Sequence, residues 1–193
     1  MNNKMKRIII GVVGLFIISF VIMTWFYPYS FVSVYKSYAF KPDPIVVDQY
    51  VNDLEEFKSS YQEDLDELTT ESNYDLTIDR TQYLLPLFEQ DWLVSKVPVK
   101  MSIDDLGEIL FEVKNARKIL LELIANEDYT QEQRHYLVNS IESLLSLEEE
   151  IVDIKTGIAE SRKTLRIQFN NLHGSFLGNF MMFEIFYERS RKD

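Results

Sequence analysis

The chain has no cysteine among its 193 residues, and it contains only six glycines, five prolines and two histidines. The lack of cysteine excludes disulfides, thiolate-bound zinc or iron–sulfur clusters, thiol catalysis and a lipid-modified N-terminal cysteine. A domain of this chain that lies outside the cytosol must therefore be stabilised by its apolar core alone. The scarcity of glycine leaves few loops that can cradle a substrate. Walker, dinucleotide-binding and Gly-x-Ser-x-Gly motifs are also missing.

Acidic residues are missing from residues 1–40, so all 31 of them fall in residues 41–193, together with 16 basic residues. This larger part of the chain carries a formal charge of about −15. Such a surface repels phosphate backbones, whereas nucleic-acid binding needs a basic footprint. We therefore expect no nucleic-acid partner.

Residues 8–27 form a run of twenty residues without a charge, interrupted only by small or weakly polar side chains. As a helix, such a run is about 30 Å long, which matches the hydrocarbon core of a bilayer. A secretory signal usually has a shorter apolar region, of roughly 7–15 residues, followed closely by a small-residue cleavage site. The nearest such site, Ser37-Tyr38-Ala39, comes about ten residues too late. The pattern predicts an anchor that the mature protein keeps.

The two ends of this run differ in charge and in aromatic content. Basic residues lie directly before the apolar run. Because the positive-inside rule puts such residues in the cytoplasm, the N-terminus is predicted to be cytoplasmic and residues 30–193 to lie outside. Aromatic side chains follow it, as in the belts where amphipathic rings meet lipid headgroups. The residues expected to set the topology and the membrane interface are Lys4, Lys6, Arg7, Trp25, Tyr27 and Tyr29. No second apolar run of about eighteen residues occurs, so we expect a single-pass protein of the cell membrane.

Residues 28–44 form an aromatic connector that ends at Pro42 and Pro44, two residues that favour an extended chain. Its aromatic residues include Tyr29, Phe31, Tyr35, Tyr38 and Phe40. Two interpretations stay open for this connector. It lies along the headgroups, or it extends the membrane helix and packs on the domain that follows.

The next part of the chain has helical periodicity. Apolar residues recur at steps of three and four over residues 45–71, which predicts an amphipathic helix with a strongly acidic outer face. The stretch TQYLLPLFEQDWL, residues 81–93, is also apolar and is predicted to be helical, with a kink or an interruption at Pro86. The stretch VSKVPVKM, residues 94–101, alternates apolar and polar residues around Pro98 and is predicted to be an extended linker.

Two further helices carry recognisable start signals. Ser102, with Asp105 three residues later, predicts a helix that ends near Asn126. Thr130 and Gln133 form a capping-box pattern, and the apolar stripe that follows continues to Leu172. We therefore predict a helix of about forty residues, roughly 60 Å long. Its weakest point is expected at Gly157. The stripe from Leu144 to Ile158 keeps a four-three spacing that suits coiled-coil packing against a partner helix.

These elements together predict an all-α fold. A single N-terminal transmembrane helix is followed by an antiparallel three- or four-helix bundle with one long C-terminal helix. The expected boundaries are a cytoplasmic tail at 1–7, the span at 8–27, the connector at 28–44, the extracytoplasmic bundle at 45–173, and an apolar C-terminal segment with a basic tail at 174–193.

The C-terminal segment is the most apolar stretch outside the predicted span, but it is too short to cross a bilayer. As a helix, it aligns four aromatic residues that are candidates for docking a partner: Phe176, Phe180, Phe183 and Tyr187. The alternative is that the segment packs on the bundle and completes its core. In the docking interpretation, in which the segment binds a partner or the membrane, the bases that follow, Arg189, Arg191 and Lys192, meet headgroups.

Charge is also divided within the acidic part of the chain. Residues 48–91 hold thirteen acids and two bases, whereas residues 155–192 hold seven bases and three acids. We expect the last helix to lie beside the first helix of the bundle, which would bring these unlike charges together. Arg162, Lys163 and Arg166 are the bases expected to take part.

Motifs with chemical potential are few. Glu132-x-x-His135 has the spacing of half a di-iron site, but the second half is missing from the sequence. Ser33-x-x-Lys36 and Lys155-Thr156-Gly157 match two penicillin-binding signatures by chance, since the first lies beside the predicted span and the second lies in a helical stripe. We predict no catalytic residue, no metal site and no cofactor.

These observations favour a non-enzymatic protein, anchored in the membrane and extracytoplasmic, that works through protein–protein contacts as an assembly or regulatory factor of the cell envelope. Its expected partners are the lipid bilayer and either an envelope protein or a second copy of the chain. The alternative is a ligand-sensing helical bundle that works with a membrane partner, because aromatic stripes can line a pocket between helices. A small hydrolase is a third hypothesis, and it would need clustered Glu, His and Ser side chains.

Overall fold

A computed structural model of the protein describes residues 3–34, 36–70, 75–157 and 160–191, and it is mostly helical, with 79% helix and 4% strand. Eight helices and two strands follow one another in the part of the chain that is described. They are α1 (Asn3–Phe26), β1 (Ser37–Phe40), α2 (Pro44–Thr70), α3 (Leu76–Thr81), α4 (Leu85–Phe88), α5 (Asp91–Val94), β2 (Val99–Ser102), α6 (Ile103–Asn126), α7 (Gln131–Thr156) and α8 (Arg162–Ser190). Tyr35, Ile158 and Lys192 of the sequence-based predictions lie outside the described residues.

Helix α1 is long and apolar enough to span a membrane. Every large apolar side chain between Ile8 and Phe26 is 39% to 71% exposed. A helix that is apolar on all sides and exposed on all sides has no stable place in water, because burial of such side chains contributes about 1.5–3 kcal/mol each. The apolar surface of α1 must therefore be covered by a lipid bilayer or by another molecule, because the rest of this chain leaves it exposed.

The remaining elements form what we call the body, residues 36–191 as far as they are described. Its central helices pack in chain order, α6 along α7 and α7 along α8. Two hydrogen bonds fix the relative direction of the last pair. Gln133 donates to the carbonyl of Arg189 at 2.9 Å, and Asn179 donates to the carbonyl of Ser140 at 3.2 Å. Because the start of α7 faces the end of α8, these two helices are antiparallel.

The predicted starts of α6 and α7 are confirmed. Ser102 accepts a hydrogen bond from the backbone N–H of Asp105, whose side chain accepts from the N–H of Ser102. Thr130 and Gln133 make the same reciprocal pair at the start of α7. Each capping box satisfies two amides that have no partner within the helix. The predicted end of α6 at Asn126 is also correct.

The predicted forty-residue helix is wrong, since α7 ends at Thr156 and a new helix, α8, begins at Arg162. Gly157 ends α7, and Ser161 caps α8 by accepting from the N–H of Thr164 at 3.2 Å. The two halves of the predicted stripe therefore belong to antiparallel helices that pack on each other. Helix α8 also continues through residue 174, so the expected boundary between 173 and 174 does not coincide with the end of a helix.

The all-α expectation needs a correction as well, because β1 and β2 form a two-stranded antiparallel sheet. Tyr38 lies opposite Met101, and Phe40 lies opposite Val99. Tyr38 and Phe40 are buried while Ala39 between them is exposed, which is the alternation expected of a strand with one buried face. The connector thus does not extend α1 as a helix, and its last part packs on the body as β1.

The helix predicted at 45–71 is observed as α2, and its buried stripe includes Val47, Tyr50, Leu54, Phe57 and Tyr61. The apolar stretch after it forms three short helices, with Pro86 in the first turn of α4. Proline is tolerated there because the first amides of a helix have no partner within the helix in any case.

Aromatic rings join α2 to the C-terminal half of α8, whereas the charge pattern predicted contacts of α2 with Arg162, Lys163 and Arg166 at the start of that helix. The ring of Phe57 lies 5.7 Å from Phe180, 5.8 Å from Phe183 and 5.1 Å from Tyr187, measured between ring centroids. All three contacts are edge-to-face, the arrangement that aromatic quadrupoles favour. Unlike charges meet at one end of this pair of helices, where Arg191 forms an ion pair with Asp64.

Candidate functional site at the junction of helix α1 and the body

The body meets α1 at the C-terminal end of that helix, and we call this region the junction: the last two turns of α1, residues 27–34 and the first turn of α8. The predicted topology residues lie at both ends of α1. Lys4, Lys6 and Arg7 are exposed near its start, and Trp25 is 63% exposed near its end. Their roles at a membrane stay predictions.

Tyr29 was expected to meet headgroups at the membrane interface, but its side chain packs against the body. The side chain is only 2% exposed, and its hydroxyl donates a hydrogen bond to the carbonyl of Met101 on β2 at 2.9 Å. Burial raises the pKa of Tyr29 well above its ordinary value, so the phenol stays protonated and remains a donor. Tyr29 therefore fastens the chain that leaves α1 to the sheet of the body. Tyr27, two residues earlier, is half-buried.

The segment between α1 and β1 turns back beside the helix. Two successive turns, from the carbonyl of Tyr27 to the N–H of Ser30 and from the carbonyl of Ser30 to the N–H of Ser33, curl the chain. Thr24, in the last turn of α1, donates to the carbonyl of Val32 at 3.4 Å. The segment then carries three exposed apolar side chains close to the end of α1, namely Phe31 (82% exposed), Val32 (42%) and Val34 (62%).

Arg162 connects the start of α8 to the end of α1. Its Nε donates to the carbonyl of Trp25, and its guanidinium carbon lies 4.6 Å from the centre of the Trp25 ring. This cation–π contact and the charge-assisted hydrogen bond both involve the last turn of α1, whose carbonyls have no partner within the helix. Sequence analysis placed Arg162 beside acidic residues of α2, and the structure places it against Trp25 instead.

A cleft of about 340 Å³ lies at this contact, and we call it the junction cleft. Its lining residues are Phe20, Val21, Thr24, Trp25, Val34 and Arg162. The walls are mostly apolar, and the single charged group is the guanidinium of Arg162. Lys163 and Arg166 follow in the next turns of α8 and are exposed. Arg166 and Arg162 also lie close enough to Tyr38 to oppose the rise that burial causes in the pKa of its phenol.

The basic residues at the C-terminus lie at the other end of α8. This helix has 29 residues and is therefore about 44 Å long. Arg189 pairs with Glu132 at 3.2 Å, and Arg191 pairs with the buried Asp64. Both side chains thus serve contacts within the body, and they lie far from α1. Lys192 lies outside the described residues, and headgroup contact by these bases stays a prediction.

The four candidate docking residues of α8 lie in the core. The exposed fractions are 0% for Phe176, 2% for Phe180 and 1% each for Phe183 and Tyr187. They pack against rings of α2, α4 and α5, such as that of Trp92, which lies 5.0 Å from Phe176. Side chains buried to this extent present no surface to a partner, so the alternative interpretation, in which the segment completes the core, is the correct one.

Two open grooves border the N-terminal half of α6. The larger, of about 480 Å³, is lined partly by Trp92, Met101, Glu108 and Glu112. The other, of about 440 Å³, lies next to it around Phe111. Carboxylates outnumber bases in the lining of both grooves, each of which also has one lysine, Lys100 or Lys155, so the lining favours a cation over an anion.

The half-motif Glu132-x-x-His135 has ordinary structural contacts. Glu132 pairs with Arg189, and His135 lies 3.3 Å from the amide of Asn139. Within the described ranges, no group of three or more His, Asp or Glu side chains is placed to hold a metal ion. The other histidine, His173, is 5% exposed and lies 3.3 Å from the carbonyl of Leu93.

Sequence reasoning missed the two contacts that define the junction. Tyr29 and Met101 are 72 residues apart, and Arg162 and Trp25 are 137 residues apart. The available signals were indirect: an aromatic residue after a proline, and three bases at the start of a helix, where the helix dipole disfavours them. Comparisons with protein-family models, with curated proteins and with solved structures find no match to this chain.

Proposed function

We propose that this chain is a single-pass membrane protein whose helical bundle is held against the outer face of the membrane and acts by contact with other envelope proteins. The observation that carries the proposal is the combination of an exposed apolar helix with a junction at which described residues fasten the body to the end of that helix. Two contacts, Tyr29 with Met101 and Arg162 with Trp25, hold the body at the end of α1. A partner in the same membrane would then meet the body at a fixed height and orientation.

The proposed orientation has the N-terminus in the cytoplasm. Lys4, Lys6 and Arg7 lie next to the start of the apolar run, where the positive-inside rule has most weight. The bases of α8 near the junction do not oppose this orientation. The rule counts short loops and residues within roughly 15–20 positions of a span, whereas a long domain is translocated largely regardless of its charge.

The buried polar side chains of the body support a protein that acts by contact rather than by catalysis, because the three described next are engaged in structural contacts. Asn179 is bonded to the carbonyl of Ser140, Asp64 is bonded to Tyr187 and Arg191, and Glu148 is paired with Arg117. Each of these buried polar groups already has a structural partner in the folded chain. Groups that perform acid–base chemistry are instead directed at a cleft that a substrate can enter.

The groove between β2 and α6 supports the second candidate function, which is ligand sensing. Its volume of about 480 Å³ suits a small molecule, and the carboxylates of Glu108 and Glu112 favour a cation. Thermal unfolding of the full chain in detergent with spermidine as the probe tests it. A rise in the melting temperature that Glu108→Gln removes supports sensing, and an unchanged melting temperature opposes it.

Topology is tested with single cysteines, because the chain has none of its own. Asn3→Cys and Asp128→Cys variants of the full chain would be labelled in intact cells without an outer wall, with a maleimide that cannot cross membranes. We expect both variants in the membrane fraction after alkaline extraction, and we expect labelling of Asp128→Cys only. Labelling of Asn3→Cys alone, or a chain in the soluble fraction, would contradict the proposal.

Partner contact is tested by crosslinking at exposed positions of the body. A photoreactive amino acid in place of Leu145 or Ile167, which are 47% and 50% exposed, would be activated in intact membranes. We expect one defined adduct, either a dimer or a complex with an envelope protein. The same replacement at the buried position Phe176 is the matched control. Monomer alone at every exposed position tested would argue against action by contact.

A further inference from the structure

We propose that the junction cleft is a binding site for an anionic glycerophospholipid of the membrane leaflet that faces the body. In this proposal Arg162 binds the phosphate, and the apolar walls hold the upper part of an acyl chain. The inference rests on the proposed function, because it requires α1 to span the bilayer.

The depth of the cleft matches the boundary between headgroups and acyl chains. The apolar part of α1, from Ile8 to Phe26, covers nineteen residues and is about 28 Å long, close to the thickness of the hydrocarbon core. The cleft is lined by α1 residues from Phe20 to Trp25, which are therefore in the last 9 Å or so of the span. A lipid beside these turns has its glycerol and phosphate at the level of Arg162.

The walls of the cleft fit an acyl chain. Phe20, Val21 and Val34 are 46%, 60% and 62% exposed, so their apolar surface is open to whatever surrounds α1. Val34 belongs to the body side of the cleft and Phe20 to the helix side, which makes a crevice rather than a smooth helix surface. The crevice continues directly into the apolar surface of the span. Its occupant is therefore a molecule already present in the bilayer.

The guanidinium at the top of the crevice fits a phosphate. Nε of Arg162 donates to the carbonyl of Trp25, and the plane of the group is steadied by the Trp25 ring. No acidic side chain forms an ion pair with Arg162 in the part of the chain that is described, so its positive charge is not neutralised by a carboxylate there. A steadied, planar fork of donors is the group that binds phosphate oxygens best in proteins.

The surrounding charge favours an anionic over a zwitterionic headgroup. Lys163 and Arg166 are exposed near Arg162, and no acidic residue occurs in the first turn of α8. Bases at this end of a helix are disfavoured by the helix dipole, so the stability of α8 does not explain their position. An anion bound by Arg162 is attracted further, at longer range, by Lys163 and Arg166, which do not line the cleft themselves.

Trp25 provides a reporter for the test, since it forms part of the cleft and is exposed, whereas the other tryptophan, Trp92, is 3% exposed in the core. The full chain would be reconstituted into phosphatidylcholine vesicles with brominated acyl chains, which quench tryptophan at short range. Unbrominated phosphatidylglycerol or unbrominated phosphatidylcholine is then added, and the recovery of Trp25 fluorescence gives the relative binding constant of each lipid at the cleft.

For the wild-type chain we expect phosphatidylglycerol to bind about tenfold more tightly than phosphatidylcholine, as one charge-assisted contact provides. Arg162→Gln should reduce the preference to less than about twofold. Lys163→Gln removes the same charge from an exposed neighbour and should keep most of the preference. Val34→Glu, which leaves Arg162 in place but supplies it with a carboxylate, should reduce the preference as Arg162→Gln does.

The outcomes separate the two proposals. Quenching of Trp25 with no headgroup preference, or a preference that Arg162→Gln leaves intact, overturns the lipid site and leaves the anchor standing. A chain that does not float with the vesicles, and whose Trp25 no brominated lipid quenches, overturns the anchor and the lipid site together.

Discussion

Tyr187 donates its phenolic hydrogen to the carboxylate of Asp64 at 2.6 Å, between the last turns of α8 and α2. Both residues are buried, with exposed fractions of 1% and 2%. Arg191 completes the group, since it forms an ion pair with Asp64 and its guanidinium lies 5.9 Å from the centre of the Tyr187 ring. Burial and the adjacent carboxylate raise the pKa of Tyr187 well above its ordinary value, so the phenol remains a donor at all physiological pH values.

The first prediction concerns this group. Asp64→Ala should lower the free energy of unfolding by about 3 kcal/mol, because it leaves Arg191 and Tyr187 without their acceptor. Tyr187→Phe should cost about 1–2 kcal/mol, since the carboxylate keeps its ion pair but loses one hydrogen bond. Urea unfolding of the full chain in detergent measures both. Tyr83→Phe, at a tyrosine that is 56% exposed, is the control and should stay within about 0.5 kcal/mol of the wild type.

The second prediction is a loss of stability in mild acid that depends on His173. The imidazole lies between the rings of Phe40 and Trp92, and burial lowers its pKa below the ordinary value despite a hydrogen bond to Leu93. Below about pH 6.5 the unfolded chain then binds more protons at this residue than the folded chain does. As the pH falls below about 6.5, the contribution of His173 to the free energy of unfolding should decrease by up to about 1.4 kcal/mol per pH unit. This decrease should end when the pH reaches the lowered pKa of His173 in the folded chain.

The two histidines of the chain allow a matched measurement. His173→Leu should flatten the dependence of unfolding free energy on pH between 6.5 and 5, whereas His135→Gln, at an exposed position, should leave it as in the wild type. The carboxyl group of Glu184, whose pKa is raised by burial, contributes equally to all three proteins. If the unfolding free energy of His173→Leu depended on pH as steeply as that of the wild type, His173 would not be the source of the acid sensitivity.

The parts of the fold that could be predicted from sequence are those determined by nearby residues. The capping boxes at Ser102 and Thr130 operate within four residues, so the starts of α6 and α7 were predicted correctly. The apolar stripe of α2 was also predicted correctly, because its residues recur at steps of three and four along one helix. The end of α7 was missed because apolar spacing continues across Gly157 into α8, and spacing alone does not distinguish one long helix from two that fold back on each other.

The parts that could not be predicted depend on partners far along the chain. Strand β1 has only four residues and exists because β2, about sixty residues later, pairs with it. Tyr29 follows an apolar run just as an interfacial aromatic does, and only its contact with Met101 shows that its side chain is fastened to the body. The candidate site depends on such contacts entirely, since Arg162 and Trp25 have no relation in the sequence that reveals their contact.

The third prediction concerns the rigidity of the junction. Tyr29→Phe should lower the free energy of unfolding of the body by about 1–2 kcal/mol, because it removes a buried hydrogen bond to the Met101 carbonyl. It should also loosen the body relative to α1. Spin labels at Met23→Cys and Ala39→Cys, both exposed positions, would report a broader distance distribution in electron paramagnetic resonance. Tyr27→Phe serves as the control, and an equal broadening there would mean that the Tyr29 bond does not fix the junction.

The fourth prediction compares two glycines that differ in what a methyl group would meet. At Gly174, in the middle of α8, the space around an added Cβ is open within 4 Å. Gly174→Ala should therefore raise the free energy of unfolding by about 0.8–1 kcal/mol, the difference in helix propensity between the two residues. At Gly157 an added Cβ would lie 2.7 Å from Cγ of Glu160 and 3.2 Å from the carbonyl oxygen of Asp153.

Gly157→Ala should accordingly give no gain and should destabilise the chain, since the Glu160 side chain must move and the backbone of the last turn of α7 must shift to admit the methyl group. Thermal unfolding of both variants beside the wild type measures the difference. A melting temperature that rises equally for both would mean that the turn between α7 and α8 accommodates a side chain at residue 157. The tightness of that turn would then not explain why the chain reverses direction there.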